Sequence, residues 1–280
     1  MELFPILDIH EFRKDQLAGN EGYSYSELRG EHHIERPHQH HFFLLVLFDQ
    51  AEGIHQIDFK DYTIGQHQIH MLFPKQVHSW KLGENTSGFQ LMVDREQFEK
   101  FSPEFHYSSM YYQQNPVIPL SDKTFQILYY EFNAIRQELE DCNCFPEIIY
   151  SRAAVIASIL RKEVRNINHD KLPHQSTPQL LRLRELIEDF FWEEKSVAFY
   201  ADKLHISIGH LNKLCRKNLQ LSPGQLIQQR TLLEAKRLLK STDLSIKEIA
   251  FKLGFIDSSY FTNFFKQHTQ LNPKQFRANS

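Results

Sequence analysis

Two short segments near the C-terminus place apolar residues with the i, i+3, i+4, i+7 spacing that marks one face of a helix. The first copy consists of Val197, Tyr200, Ala201 and Leu204, and the second, 49 residues later, of Ile246, Ile249, Ala250 and Leu253. Ala201 and Ala250 occupy the same place in the two faces, where a second helix can cross closely. Each segment is therefore predicted to be the first helix of a helix-turn-helix motif.

A second predicted helix follows each of these segments. Its apolar positions are Ile206, Leu211, Leu214 and Cys215 in the first copy, and Phe255, Phe261, Phe264 and Phe265 in the second. Ser207 and Asp257 are the predicted N-caps of these two helices. Gly254 supplies the turn of the second copy, whereas His205 must adopt the same turn without the conformational freedom of glycine.

One continuous helix is predicted between the two copies. Ser222 is its N-cap, Pro223 occupies its first turn, and the helical pattern runs on to Lys240. At 1.5 Å per residue, roughly 18 residues span about 27 Å. This length is close to the roughly 34 Å between successive major-groove faces on one side of B-DNA. Two recognition helices joined by this spacer can therefore enter neighbouring segments of the major groove.

The C-terminal residues resemble the AraC/XylS family of transcriptional regulators. The most specific matches are the segments Ser245–Phe255, Ser259–Lys266 and Asn272–Arg277, which read SIKEIAFKLGF, SYFTNFFK and NPKQFR. The resemblance implies a sequence-specific DNA-binding regulator rather than an enzyme, and an activator more often than a repressor. It also implies double-stranded DNA as a partner and admits RNA polymerase as another.

The base-reading positions of the family map onto the outward faces of the two predicted recognition helices. These positions hold Ile208, Gly209, Asn212, Lys213 and Arg216 in the first copy, and Ser258, Ser259, Thr262, Asn263 and Lys266 in the second. Asparagine can pair bidentately with adenine, lysine can donate to guanine, and serine or threonine suits either a base or a phosphate. Gly209 departs from the family, because many relatives present a larger side chain there.

Charge divides the chain unevenly. Residues 178–280 carry 16 Lys and Arg against 10 Asp and Glu, a net charge of +6, while residues 1–177 carry 16 against 25, a net charge of −9. A basic surface is attracted to phosphate and an acidic one is repelled. Taken alone, this charge could simply keep the chain in solution. Together with the tandem motif, it assigns DNA contact to the C-terminal part.

The N-terminal part reads as short strands separated by turns. The predicted strands are Phe42–Phe48, Gly53–Phe59, Asp61–Ile64, His70–Phe73, Ser79–Leu82 and Gly88–Val93. No helical pattern interrupts them before about Asp94, which favours a small antiparallel β-barrel over a parallel α/β fold. The region resembles the cupin-like sensing domain that often precedes the AraC/XylS tail. That resemblance implies a small-molecule effector, with the segment before Arg36 as an arm over the barrel mouth.

Histidine is concentrated in this region, at His32, His33, His38, His40, His41, His55, His67, His70 and His78. Metal-binding cupins offer a His-x-His pair, a following glutamate and a histidine from a later strand. His38, His40 and His78 could play the histidine parts, but Phe42–Phe48 contains no carboxylate. We therefore expect no metal and no cofactor. The expected effector pocket is walled by His38, His40, Phe43, His78 and Trp80. Ordinary core packing is the other reading of its aromatic members.

Two longer helical patterns, Ser121–Asp141 and Pro146–Asn166, follow the barrel. Such helices commonly pair two subunits in the family, so a homodimer is expected; alternatively, they only cover the barrel. The predicted fold is an α+β two-domain chain, with a cupin-like antiparallel β-barrel and a helical dimerisation pair before an all-α tandem helix-turn-helix domain. The predicted sensing and dimerisation domain is 1–166, the polar linker 167–178 and the DNA-binding domain 179–280.

Cysteine content and hydropathy suggest a compartment. Three cysteines cannot build a disulfide framework, and the chain has no N-terminal signal pattern. The apolar run Phe42–Phe48 is too short to span a bilayer. We therefore expect a cytoplasmic protein without a membrane partner.

Two other functions remain open from the sequence. One is a metal-dependent cupin enzyme fused to a DNA-targeting tail, in which His38, His40 and His78 would hold an ion without the usual glutamate. The other is a constitutive regulator whose empty barrel serves only for dimerisation. Metal content distinguishes the first from an effector-responsive regulator, and a thermal shift with metabolites distinguishes the second.

Overall fold

The structure is a computed structural model that describes residues 6, 7, 9, 22–105, 109–168 and 177–278. The chain divides into two compact units, residues 2–172 and 173–280. The first unit combines β-sheets with helices, and the second is helical. This is the α+β two-domain class that the sequence predicts. No helix in the described ranges has the length and apolar character needed to cross a bilayer.

Two five-stranded sheets form the first unit. Their strands are β1 (Ile6–Leu7), β2 (Tyr23–Arg29), β3 (His32–His40), β4 (Phe43–Gln50), β5 (Gly53–Ile57), β6 (Lys60–Ile64), β7 (Gln68–Leu72), β8 (His78–Leu82), β9 (Ser87–Val93) and β10 (Val117–Pro119). The strand orders are β1-β3-β8-β5-β6 and β10-β7-β4-β9-β2. Neighbouring strands are antiparallel, except that β1 pairs with β3 in parallel.

The apolar run of β4 divides between two cores. Leu44 and Val46 belong to a core between the two sheets, which we call the inter-sheet core, whereas Leu45 and Leu47 belong to a core between the second sheet and the helices. Successive side chains of a strand point to opposite faces, and both faces of β4 are covered. The strand is therefore apolar from Phe43 to Phe48 instead of alternating, and becomes polar only at Asp49 and Gln50.

The helices of the first unit cover the outer face of the second sheet. They are α1 (Arg95–Phe101), a 3-10 helix (Ser102–Phe105), α2 (Ser109–Gln114), α3 (Asp122–Glu140) and α4 (Pro146–Asn168). The Ser121 amide donates to Glu163 at 3.2 Å, and Arg152 donates to Glu131 at 2.9 Å. The start of α3 thus lies beside the end of α4, so the two helices run antiparallel.

Three strands, β1, β2 and β3, precede the first one that the sequence predicts. Strand β2 pairs with β9 over its whole length, from Tyr23 opposite Val93 to Arg29 opposite Ser87. Strand β3 pairs with β8. The arm predicted before Arg36 is therefore wrong for β2 and the first part of β3, because their backbone groups are committed to the sheets. Most of the remaining arm lies outside the described residues.

The predicted strand Gly53–Phe59 is two residues too long. It ends at Ile57, because Asp58 and Phe59 have φ values of 48° and 64° and form a two-residue hairpin loop. Positive φ at both central positions is the geometry of a type I′ turn, which matches the twist of paired strands. The Asp58 carboxylate accepts from the Val77 amide at 3.1 Å and so ties down the turn. No glycine marks this turn in the sequence.

The second unit consists of α5 (Pro178–Phe190), α6 (Val197–Lys203), α7 (Ile208–Leu219), α8 (Pro223–Ser241), α9 (Ile246–Lys252), α10 (Ser258–Thr269) and α11 (Pro273–Ala278). Both predicted helix-turn-helix motifs and the spacer helix between them are confirmed. Helices extend into the predicted linker 167–178 from both sides, since α4 continues to Asn168 and Pro178 begins α5 behind the N-cap Thr177. Residues 169–176 lie outside the described residues.

The turns of the two motifs share a left-handed backbone residue. Its φ is 55° at His205 and 74° at Gly254. A Cβ on Gly254 would lie 1.8 Å from the Trp192 carbonyl oxygen, a distance that real contacts never reach. The second turn thus requires glycine for two reasons, its positive φ and the close approach of the Trp192 carbonyl. In the first turn, the unfavourable feature is the left-handed backbone conformation of His205.

Substitutions at these two positions should have opposite effects. We expect Gly254→Ala to lower the free energy of unfolding by more than about 1 kcal/mol, because strain and the Trp192 clash add. His205→Gly should raise it by up to about 1 kcal/mol, since the left-handed strain is relieved. Denaturant unfolding measures both. A Gly254→Ala variant as stable as the parent chain would contradict this account of the turn.

Candidate functional site

Helix α7 presents the predicted DNA-reading residues of the first motif away from its packed face. Leu211 and Cys215 are buried against the domain. The outward positions Ile208, Gly209, Lys213 and Arg216 are exposed, and Asn212 is half-buried. The Asn212 amide nitrogen donates to the Ile208 carbonyl at 3.0 Å. Asn212 must therefore break this intrahelical hydrogen bond before its amide can pair bidentately with adenine.

Helix α10 presents a more polar surface. Phe261 and Phe265 are buried on its packed face. Ser259, Asn263 and Lys266 are exposed, while Ser258 and Thr262 are half-buried. The Thr262 hydroxyl donates to the Ser258 carbonyl at 2.7 Å. Tyr260, which the sequence analysis did not select, is 66% exposed in the first turn of this helix. Its ring is therefore a further candidate for DNA contact.

A partly buried ionic group fixes α8 to α5. The Arg230 guanidinium donates to the Glu188 carboxylate at 2.9 and 3.0 Å and to Glu234 at 2.9 Å. It also lies 4.0 Å from the centroid of the Phe191 ring. Charge-assisted bonds to two carboxylates hold this guanidinium in one orientation. The spacer helix is thus anchored to the first motif's side of the unit.

Two cations bond backbone carbonyls where helices end. Lys195 donates to the Leu253 carbonyl at 2.8 Å and to carbonyls at Phe191 and Trp192, which joins the end of α9 to the end of α5. Arg277 donates to the Leu239 carbonyl at 3.1 Å and to Leu244 at 2.6 Å. Carbonyls at helix ends lack intrahelical partners, and cations can satisfy them. Lys195 thereby ties the second motif to the segment before the first, and Arg277 ties α11 to the end of α8.

Five buried histidines lie together between the two sheets. His38 and His40 come from β3, His55 from β5, His70 from β7 and His78 from β8. Ring centroids are 4.3 Å apart for His38 and His78, 5.1 Å for His40 and His78, and 5.1 Å for His55 and His70. We call this group the histidine cluster. Trp80, also buried, packs against His55 and His78.

The structure brings four of the five predicted effector residues together and separates the fifth. His38, His40, His78 and Trp80 lie in or beside the histidine cluster, but Phe43 faces the other core. The Phe43 ring packs at 4.3 Å from Phe98 and 5.0 Å from Phe73. Strand alternation explains this correction, because a residue one position from an inward-facing one points to the opposite side of the sheet.

His55 and His70 belong to the cluster but were not selected from the sequence. His55 Nδ1 lies 2.9 Å from His70 Nδ1, and His55 Nε2 lies 3.0 Å from His78 Nδ1. The alternation of β5, in which His55 and Ile57 are both buried, was the available signal. The register of His55 opposite Trp80 is visible only in the folded sheet.

Burial keeps four of the five imidazoles, those of His40, His55, His70 and His78, uncharged. Desolvation lowers the pKa of His40 and of His70 to about 3, and it holds the pKa values of His55 and His78 well below 6.5. Neighbouring imidazoles lower the pKa values of His40, His55 and His78 further. A group of neutral imidazoles presents one donor and one acceptor per ring.

The cluster does not fit the metal site of metal-binding cupins. Three histidines, His38, His40 and His78, lie near one another, but β4 places no carboxylate beside them. Within the described ranges, no group of three or more His, Cys, Asp or Glu residues is arranged to hold a metal ion. Its observed contacts are hydrogen bonds among the imidazoles and to the backbone.

The low pKa values predict acid lability of the first unit. Between pH 6.5 and about 3, these imidazoles bind protons in the unfolded chain but stay unprotonated in the folded one. The free energy of unfolding should therefore fall as pH decreases through this window, by about 1 kcal/mol per pH unit for each such histidine. Denaturant unfolding between pH 7 and pH 5 measures the slope. His40→Phe should reduce it and exposed His41→Phe should not; equal slopes would contradict the assignment.

Comparisons with known proteins support the DNA-binding architecture. A helix-turn-helix domain family matches residues 200–279. The chain is 24% identical over 250 residues to the transcriptional activator RhaS of Enterobacter sp. (strain 638), with 86% of each chain covered. It is 27% identical over 248 residues to the uncharacterized regulator YfiF of Bacillus subtilis (strain 168), with 86% of this chain and 78% of YfiF covered.

Among solved structures, the C-terminal domain of the response regulator yesN from Fusobacterium nucleatum is 32% identical, with 34% of this chain and 93% of that chain covered and a TM-score of 0.33. The matched helix-turn-helix domain contains nearly all of the tandem motif, and relatives that align over most of both chains are transcriptional regulators. The chain belongs to the AraC/XylS family of DNA-binding transcriptional regulators.

Proposed function

We propose that this regulator is an effector-responsive activator whose two recognition helices, α7 and α10, read adjacent segments of the major groove. The observation that carries the proposal is the single uninterrupted helix between the two motifs. Helix α8 has 19 residues, which at 1.5 Å each span about 28 Å. That spacing suits two helices inserted about one turn of DNA apart on one side of the duplex. RhaS is named as a transcriptional activator, which supports activation rather than repression by this chain.

The proposed base-reading residues are the ten outward positions that the sequence selects. In α7 they are Ile208, Gly209, Asn212, Lys213 and Arg216, and in α10 they are Ser258, Ser259, Thr262, Asn263 and Lys266. Their exposure or half-burial leaves them accessible to base edges. The net charge of +6 over residues 178–280 supports phosphate attraction in the same part of the chain.

The effector site is proposed at the histidine cluster, in a sensing and dimerisation domain of residues 1–166 that precedes a DNA-binding domain of residues 179–280. Polar groups inside an otherwise apolar core are typical of sites that orient a small molecule. An effector changes DNA binding only by as much as its affinity differs between the two regulatory states. Activation further implies contact with RNA polymerase.

A homodimer is proposed through the outer faces of α3 and α4. Tyr130 is 63% exposed on α3, and Val155 is 44% exposed on α4. A shallow groove of about 400 Å³ on α4 is lined by Glu104, Ala154, Val155, Ser158, Ile159 and Lys162. Apolar surface of this kind supports association when a second copy covers it.

A footprint on DNA upstream of the protein's own and neighbouring genes tests the regulator. At fixed salt, we expect two protected major-groove segments about one turn apart, changed by addition of lysate metabolites. Protection without any sequence preference would contradict the proposal that the two helices read adjacent segments of the major groove. Protection that is identical with and without metabolites would support a constitutive regulator and contradict the proposed effector response.

On the operator so defined, Asn263→Ala should weaken binding by about 1–3 kcal/mol and relax preference at one base pair. Lys217, exposed in the last turn of α7, provides the matched comparison. Lys217→Ala should weaken operator and random DNA alike, because a phosphate contact carries no sequence information. Fluorescence anisotropy on both DNAs measures the difference. Equal losses on both for Asn263→Ala would remove it from the base-reading set.

Val155→Glu should convert the dimer to a monomer, because it places a charge in the proposed apolar interface. Ile54→Glu is the control, since Ile54 is 49% exposed on β5, away from α3 and α4. Sedimentation velocity of the two variants at equal concentration measures the state. Dimers in both variants would show that α3 and α4 only cover the sheet.

A further inference from the structure

Two backbone groups fix the positions of the protons in four of the five rings of the histidine cluster, those of His40, His55, His70 and His78. The Gly65 amide donates to Gln68 Oε1 at 3.1 Å, so this side-chain atom is an acceptor. His70 Nε2 lies 3.2 Å from the same oxygen and must therefore donate. At the other end, His40 Nδ1 lies 2.9 Å from the Phe42 carbonyl, which can only accept. His40 therefore carries its proton on Nδ1.

The proton on His70 determines those of the next two rings. A neutral imidazole has one N–H, so His70 Nδ1 is an acceptor and His55 Nδ1, 2.9 Å away, must donate to it. His55 Nε2 is then an acceptor and receives the N–H of His78 Nδ1 at 3.0 Å. The bonds thus run in one direction, from His78 through His55 and His70 to Gln68. They leave His78 Nε2 without a proton.

Two bare nitrogens result, Nε2 of His40 and Nε2 of His78. Both atoms are buried and lack a hydrogen-bond partner. Their rings lie 5.1 Å apart and nearly perpendicular, at 74°. A hydrogen-bond donor lies roughly 3 Å from its acceptor, and the closeness of the two rings brings both acceptors within the span of one small molecule. The β3 strand has its register irregularity between Ile34 and His38, beside this pair. Such irregularities are frequent next to binding sites.

We propose that the effector is an uncharged molecule that donates hydrogen bonds from one or two hydroxyl or amide groups to His40 Nε2 and His78 Nε2. The inference rests on the proposed effector function of the histidine cluster and names its ligand class. Leaving two buried acceptors unpaired is unfavourable, because each loses the hydrogen bond that it makes with water in the unfolded chain, and a ligand donor removes that cost. The site is thereby stabilised by the group that it recognises.

The same two lone pairs discriminate against other ligands. A carboxylate offers only acceptors, so it would face both nitrogens without a hydrogen bond. A cation would donate, but the rings beside the pair are imidazoles and the aromatic rings of Phe42 and Trp80, none of which carries a negative charge. A charge without a counter-charge is expensive to bury there. A neutral donor meets neither penalty.

Long-range ¹H–¹⁵N NMR of the full-length protein tests the proton positions without any ligand. Histidine signals are assigned with His40→Phe, His55→Phe, His70→Phe and His78→Phe. We expect Nδ1–H forms for His40, His55 and His78 and an Nε2–H form for His70. An Nε2–H form at His40 or His78 would overturn the inference. His55→Phe should also release His78 to exchange between forms, because its acceptor is lost.

Thermal unfolding with xylitol and catechol, against gluconate and benzoate, tests the ligand class. At saturation, a neutral donor should raise Tm by at least about 3 °C. His40→Phe and His78→Phe should remove the shift, whereas exposed His41→Phe should retain it. No shift with either neutral probe, or an equal shift with the carboxylates, would overturn the inference. A histidine-dependent shift that leaves DNA binding unchanged would instead support the site and contradict the proposed effector function.

Discussion

The separation of α7 and α10, the two helices proposed to read DNA, depends on helix α8 staying intact. Ser222 and Gln225 form a capping box at its start, which satisfies amides that have no partner inside the helix. Helices α5, α7, α9, α10 and α11 all pack against it. Arg230 and Arg277 add charge-assisted bonds to carboxylates and to carbonyls near its end. The two motifs therefore behave as one rigid reader whose halves have a fixed spacing.

The first unit is organised differently, because its second sheet is covered on both faces. One face meets the helices and the other meets the first sheet, so the apolar residues of β4 serve two cores. The core between the sheets contains hydrogen-bonded imidazoles as well as aliphatic side chains. Its packing therefore depends on correctly placed protons, which makes it sensitive to pH in a way that an aliphatic core is not.

The helical unit was largely predictable because its signals are local. Ser207 and Asp257 cap their helices as expected, and the i, i+3, i+4 spacing identifies the packed faces. Strands β2 and β3 escaped prediction, since histidines and charged residues stand where alternation normally shows apolar side chains. The placement of His55 in the cluster depends on strand pairing between β5 and β8, which the local sequence does not specify.

Binding to operators with altered spacing tests the rigid-reader account most directly. Inserting 5 or 10 base pairs between the two protected segments should each weaken binding to the level of a single segment. The reason is that α8 can follow neither a rotated nor a more distant second site. Affinity that returns to the parent value with the 10-base-pair insertion, where both segments again face the same side of the duplex, would contradict a fixed spacer between the two motifs.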